Sequence, residues 1–166
     1  MKRKAFVVDT NVLVVANGQN TRADTKCVGK SIEALVTIRS AGIIVLDDQI
    51  AILQEYRKHC SYSKQPGVGD AFFRWAWNNQ AVAEVCERVR ITPKPGKPED
   101  YEEFPDDPVL NAFDRNDRKF VAVARESRNK PKILNATDTD WWDFRVPLRR
   151  HGIEVEFLCR HMMRNS

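Results

Sequence analysis

The sequence predicts an α/β fold, a three-layer α/β/α sandwich around a central, mainly parallel sheet. Short apolar runs at Ala5 to Val8, Ile43 to Leu46 and Lys132 to Asn135 have the length of buried strands. Segments of helical period separate them, and a strand, helix, strand, helix order calls for parallel pairing through right-handed crossovers. At 166 residues the chain suits one sizeable core. We therefore expect a single domain over 1–166, with an inserted aromatic helix and an acidic proline-rich loop at about 61–110.

The first strand ends in Asp9-Thr10-Asn11. In open α/β sheets ligands bind at the carboxyl ends of the strands, so an Asp there serves chemistry or caps the next helix. Gly18 to Thr25 is polar and reads as loop. Val28, Ile32, Leu35 and Val36 then make one helical stripe closed by Ala41-Gly42. After the second strand, Asp47-Asp48 is the expected N-cap of a helix from Gln49 to about Cys60. Glu55 falls near the apolar side of that helix. A lone carboxylate there is expensive, so a basic partner or a metal ion is expected beside it.

Ser61 to Gly69 is turn-rich, and Asp70 to Asn79 carries Phe72, Phe73, Trp75 and Trp77 on more than one helical face, for core or for a partner. Helical spacing continues from Ala81 into a short strand near Val89 to Ile91. Thr92 to Pro108, rich in proline and acid, reads as a long exposed loop or flap. Phe120, Val121 and Ala124 form the inward stripe of a helix that Asp117 begins. The strand ending at Asn135 delivers Thr137-Asp138-Thr139-Asp140 to its carboxyl edge, and Ile153 to Phe157 alternates as an edge strand should.

Composition is globular, with 42% hydrophobic and 30% charged residues and a net charge of +4. No stretch approaches the ~20 apolar residues needed to cross a bilayer, and Met-Lys-Arg-Lys runs straight into a strand, so a cytoplasmic protein with no membrane partner is expected. Four cysteines without a C-x-x-C pair support neither a zinc site nor a disulfide framework and are expected to be ordinary buried thiols. Bases from Arg115 to Lys132 make a solvated face or a phosphate-contacting surface.

Asp9, Glu55, Asp117 and Asp138 all fall at a strand's carboxyl end or in the helix after it, so a parallel sheet would gather them on one edge. Crowded carboxylates cannot all stay ionised without a cation, and oxygen ligands without His or Cys select Mg²⁺ or Mn²⁺. The quartet in this order resembles the PIN-domain nucleases over nearly the full chain. That resemblance implies metal-dependent endonucleolytic cleavage of single-stranded RNA, with Asp9, Glu55, Asp117 and Asp138 as the acidic catalytic and metal-binding set. Asp140 would be a further metal-site member, and Thr10 and Asn11 would support the first Asp.

Arg115, Arg118 and Lys119 are expected to hold the RNA backbone, and Asp114 competes with Asp117 for the third acidic place. The most familiar setting of such a domain is the toxin of a toxin–antitoxin pair, which makes an antitoxin protein a candidate partner alongside RNA and a second copy of the chain. The rivals are a non-catalytic PIN-like RNA- or protein-binding module and a haloacid-dehalogenase-type phosphatase. The phosphatase would need an Asp where this chain has Asn11.

Overall fold

Residues Lys4–Val8 form β1, and their apolar side chains leave both faces of the strand covered. The computed structural model describes residues 2–61 and 66–163. Thr10–Ala16 (α1) and Thr25–Ala41 (α2) lead to β2, Gly42–Asp47. Ala51–His59 (α3) and Val68–Asn79 (α4) lead to β3, Cys86–Val89. A hairpin of β4 (Pro93–Lys94) and β5 (Lys97–Tyr101) precedes α5, Arg118–Glu126. The chain ends through β6 (Lys132–Asn135), α6 (Thr139–Asp143), α7 (Arg145–Arg150) and β7 (Val155–Phe157).

The central sheet has five parallel strands in the order β3-β2-β1-β6-β7, flanked by helices as a three-layer α/β/α sandwich. From β1 the chain steps outward to β2 and β3, then returns to the other side of β1 for β6. Strand order therefore reverses between β1 and β6, the kind of switch point at which doubly wound sheets open a crevice. Helices α1, α2 and α4 pack on one another, and α5 lies across β1, β2 and β6. Gly69 allows the closest of these approaches, because a Cβ there would stand 2.1 Å from the Leu13 carbonyl oxygen. Val7, Val8, Leu13, Leu46, Phe120, Val121, Leu134 and Trp141 belong to the shared core. Complete burial of such side chains contributes about 1.5–3 kcal/mol each.

The N-cap of α3 is Ile50 and not Asp47 or Asp48 as expected, but the Asp47 carboxylate secures the turn before the helix, accepting from the amides of Gln49, Ala51 and Ile52 at 2.8 to 3.0 Å. Those bonds hold Ile50 at φ 57°, a left-handed conformation that a β-branched residue adopts only under local constraint. In α2 Leu35 is buried and Val28 and Ile32 are half-buried against the core as expected, Cys27, Ser31 and Ile38 widen the buried face, and Val36 is exposed. The turn-rich break expected from Ser61 falls, for residues 62–65, outside the described residues.

Three further expectations are corrected. Residues 80–85 form turns, and β3 starts at Cys86 where it pairs with β2, instead of near Val89. Thr92 to Pro108 is no free flap: Pro95-Gly96 turns the β4–β5 hairpin, with Gly96 at φ 71°, and Asp100, Tyr101 and Phe104 are buried. Burial works against the charge of Asp100, but Arg118, 3.0 Å away, together with Lys94 and the Tyr101 amide outweighs it and leaves the carboxyl below its ordinary value. Finally, Cys27 and Cys159 are joined as a disulfide, and Cys60 and Cys86 alone are free thiols. Only spatial neighbours can reveal such a bond, since 132 residues separate the partners. The pairing also bears on the expected cytoplasmic location, because disulfides persist chiefly in oxidising surroundings. Among the described residues no helix is long and apolar enough to cross a membrane.

The bond ties the start of α2 to the segment after β7. Replacing both partners, Cys27→Ser with Cys159→Ser, is expected to lower unfolding free energy by about 2–4 kcal/mol in urea titrations. An unchanged urea midpoint would show that the bond adds nothing to stability.

Candidate active site

The register Val8↔Leu134 brings the next residues, Asp9 and Asn135, side by side at the switch point. The Asp9 amide donates to the Leu134 carbonyl at 3.0 Å, which carries the pairing one residue past β1. Asn135 Nδ2 then donates to Asp9 Oδ2 at 3.1 Å, and Asn135 Oδ1 accepts from the Asp138 amide at 3.2 Å. Asn11 Oδ1 accepts from the Ala136 amide at 3.0 Å, holding the same loop from the first turn of α1. Asn135 is fully buried and was not among the expected site residues; its one sequence signal is a polar residue ending an apolar strand.

Asp9 is 3% exposed. Burial, then the charges of Asp117 and Asp138, hold its carboxyl well above the usual range, against the Thr10 amide and Lys119. Asp117 begins α5 but its side chain caps nothing, so the helix-cap explanation fails for it. Burial pushes its carboxyl up to about 7, helped by Asp138 and Asp114 and opposed by Lys119. Asp138 does cap α6, its Oδ1 accepting from the Asp140 amide at 2.9 Å, yet burial and the charges of Asp140 and Asp114 still raise it. These three acids thus stand in one another's field at the carboxyl edge of the sheet.

The remaining expected residues occupy the margin. Glu55 meets lysines: its Oε2 lies 3.5 Å from Lys58 Nζ and 3.9 Å from Lys119 Nζ, and its charge adds to the field on Asp117. Asp140 and Asp114 are exposed, and Asp114 is engaged by the Asn116 amide at 2.9 Å. Asp9 answers to Asp117 and not to Asp114 among its main influences, which favours Asp117 as the third acid. Arg115 is exposed beside Lys119 in a cleft of about 170 Å³ that Glu55 also lines. Arg118, expected on the RNA surface, is instead buried: it pairs with Asp100, donates to the carbonyls of Asn111 and Phe113, and sits 4.5 Å over Phe104. Lys119, one residue on, is also buried but faces the acids and donates to the Asn116 carbonyl.

The donor set suits a hard divalent cation: carboxylate oxygens, net negative charge and no thiol or imidazole among the main influences on the three acids. Two buried polar atoms in the residues after Asp9, Thr10 Oγ1 and Asn11 Nδ2, have no hydrogen-bond partner among the described residues. Among the described residues no three acidic, His or Cys side chains are grouped closely enough to ligate one ion directly. Mg²⁺ commonly binds through one or two carboxylates and keeps its water, so the donors fit such an ion in hydrated form. No protein-family model, curated protein or solved structure matches the chain.

The raised carboxyls have a consequence for metal-free protein. An acid whose folded pKa exceeds its unfolded value contributes stability in full below about pH 4, and loses it as pH climbs through the folded value. For Asp117 that window runs from the ordinary 3.8 to about 7. In chelator, Asp117→Asn should therefore gain about 1–3 kcal/mol relative to the parent chain between pH 5 and pH 8, after allowance for solvent screening. Parallel stability curves for the two proteins would show that Asp117 carries no such penalty.

Proposed function

We propose that the chain is a Mg²⁺- or Mn²⁺-dependent endoribonuclease that hydrolyses phosphodiester bonds of single-stranded RNA, in the manner of the PIN-domain nucleases it resembles. The supporting observation is that Asp9, Asp117 and Asp138 stand in one another's field near the switch point of a parallel sheet, each carboxyl raised by burial and by acidic neighbours. In this reading those three hold a hydrated metal, no more than two of them directly and the rest through its water. The ion, once bound, activates a water and neutralises charge on the phosphoryl oxygens. Glu55, held by Lys119 and Lys58, orients the attacking water from the margin. Lys119 balances acidic charge, while Arg115, exposed, is the base available to the RNA backbone. Asn11 and Asn135 keep the loop after β6 in register with Asp9.

Labelled single-stranded RNA incubated with the chain and Mn²⁺ should be cut, and chelator should stop the reaction. Asp9→Asn combined with Asp117→Asn should lower the rate by roughly 10²-fold or more. Equal, metal-indifferent activity in both proteins would remove the nuclease reading, and binding without cleavage by both would favour the non-catalytic module. Asn135→Ala tests the supporting frame separately. Its expected cost is about 10–100-fold in metal affinity or cleavage rate, measured on protein whose folding has been checked by circular dichroism.

A further inference from the structure

A cavity of about 560 Å³ opens beside Asp138, with Thr137 and Thr139 in its wall. Its size is that of a small-molecule site. The wall is built from three separate parts of the chain. Asn20 and Arg22 come from the loop between α1 and α2, Trp142 and Asp143 from α6, and Met162 from the turn after β7. Asn20 Nδ2 donates to Thr137 Oγ1 at 3.2 Å, tying the first part to the loop that carries Asp138.

Trp142 is held firmly. Phe157 meets its ring edge-on at 5.0 Å, Arg145 lies 3.8 Å from its ring centroid, and Arg145 Nη1 donates to its carbonyl. Its indole Nε1 is nevertheless buried with no hydrogen-bond partner, although buried indole N–H groups usually find one. Arg22 and Asp143 are both exposed, and neither is in an ion pair among the described residues. Opposite charges thus line one cavity without neutralising each other.

We propose that this cavity is a guanine-binding subsite for the nucleotide next to the phosphate held at the acidic edge, an inference that rests on the nuclease reading for its place in the substrate. Guanine is the base whose Watson–Crick edge offers two adjacent donors, N1–H and N2–H₂, which a carboxylate such as that of Asp143 accepts together. Its O6 and N7 are acceptors that a guanidinium such as that of Arg22 takes as a pair. Adenine lacks the donor pair, and uracil offers a single N–H. Trp142 and Met162 supply the apolar contact for the ring.

The test uses the full chain with Mg²⁺ present, with 5′-GMP, 5′-AMP, 5′-CMP and 5′-UMP titrated separately by calorimetry. GMP should bind about tenfold tighter than each of the others, the factor that one good bidentate contact confers. Asp143→Asn, an exposed substitution, should abolish that preference, and Arg22→Ala should weaken GMP by a similar factor. Equal binding of all four nucleotides, no binding, or an unchanged GMP affinity in Asp143→Asn would overturn the proposal. Failure here with RNA still cut in Mn²⁺ would leave the nuclease reading intact. Selective GMP binding without RNA cleavage would keep a guanine site and remove the nuclease reading.

Discussion

Asn135 donates from the end of β6 to Asp9 at the end of β1, a contact between residues 126 apart in sequence, and the acidic edge is organised around it. A fully buried amide is costly unless both its ends find partners, and Asn135 finds them on opposite sides. Nδ2 reaches Asp9, Oδ1 receives the Asp138 amide, and the backbone carbonyl receives the Leu158 amide beyond β7. One residue thereby joins β1, the loop after β6 and the last strand. Asn11 repeats the device from α1, through the Ala136 amide. Neither asparagine carries charge, so the frame fixes the carboxylates without neutralising them.

Neutralisation falls to Lys119, and it is incomplete. Its charge pulls Asp9 and Asp117 down, yet burial and mutual repulsion keep both raised. Arg118, its neighbour in sequence, serves the other side of α5. Consecutive residues on a helix point about 100° apart, so one base can anchor the β4–β5 hairpin through Asp100 while the next faces the acids. That division takes Arg118 and Lys119 out of the run of bases, whose other members, Arg115, Arg125, Arg128, Lys130 and Lys132, are exposed.

What the sequence made legible was local. Apolar runs located β1, β2 and β6, Asp47 marked the turn that leads into α3, and acids at strand ends pointed to the sheet edge. What it hid depended on partners distant along the chain. Asp100 read as solvated acid because nothing nearby announces Arg118, and Cys27 read as an ordinary thiol because Cys159 lies at the other end. The buried face of α2 proved wider than its apolar stripe for the same reason: Ser31 offers no apolar signal, and the tertiary fold buries it beside Leu35 anyway. Asn135 was passed over because an amide ending a strand is common, and its two contacts are invisible before the strands are ordered.

Two N-caps in the same molecule show why capping is an insufficient account of the acids. Asp24 caps α2 by accepting from the Cys27 amide, and that bond, with His161 beside it, lowers its carboxyl pKa, as a hydrogen bond to the charged form should. Asp138 caps α6 in the same manner, and its carboxyl is nevertheless raised. The difference is not the cap but the surroundings, burial together with Asp140 and Asp114. An Asn or Ser at residue 138 would cap the helix with no charge to repel its neighbours. Keeping a carboxylate there, facing Asp9 and Asp117, costs stability that the helix does not need, and a positive charge brought between them would recover it.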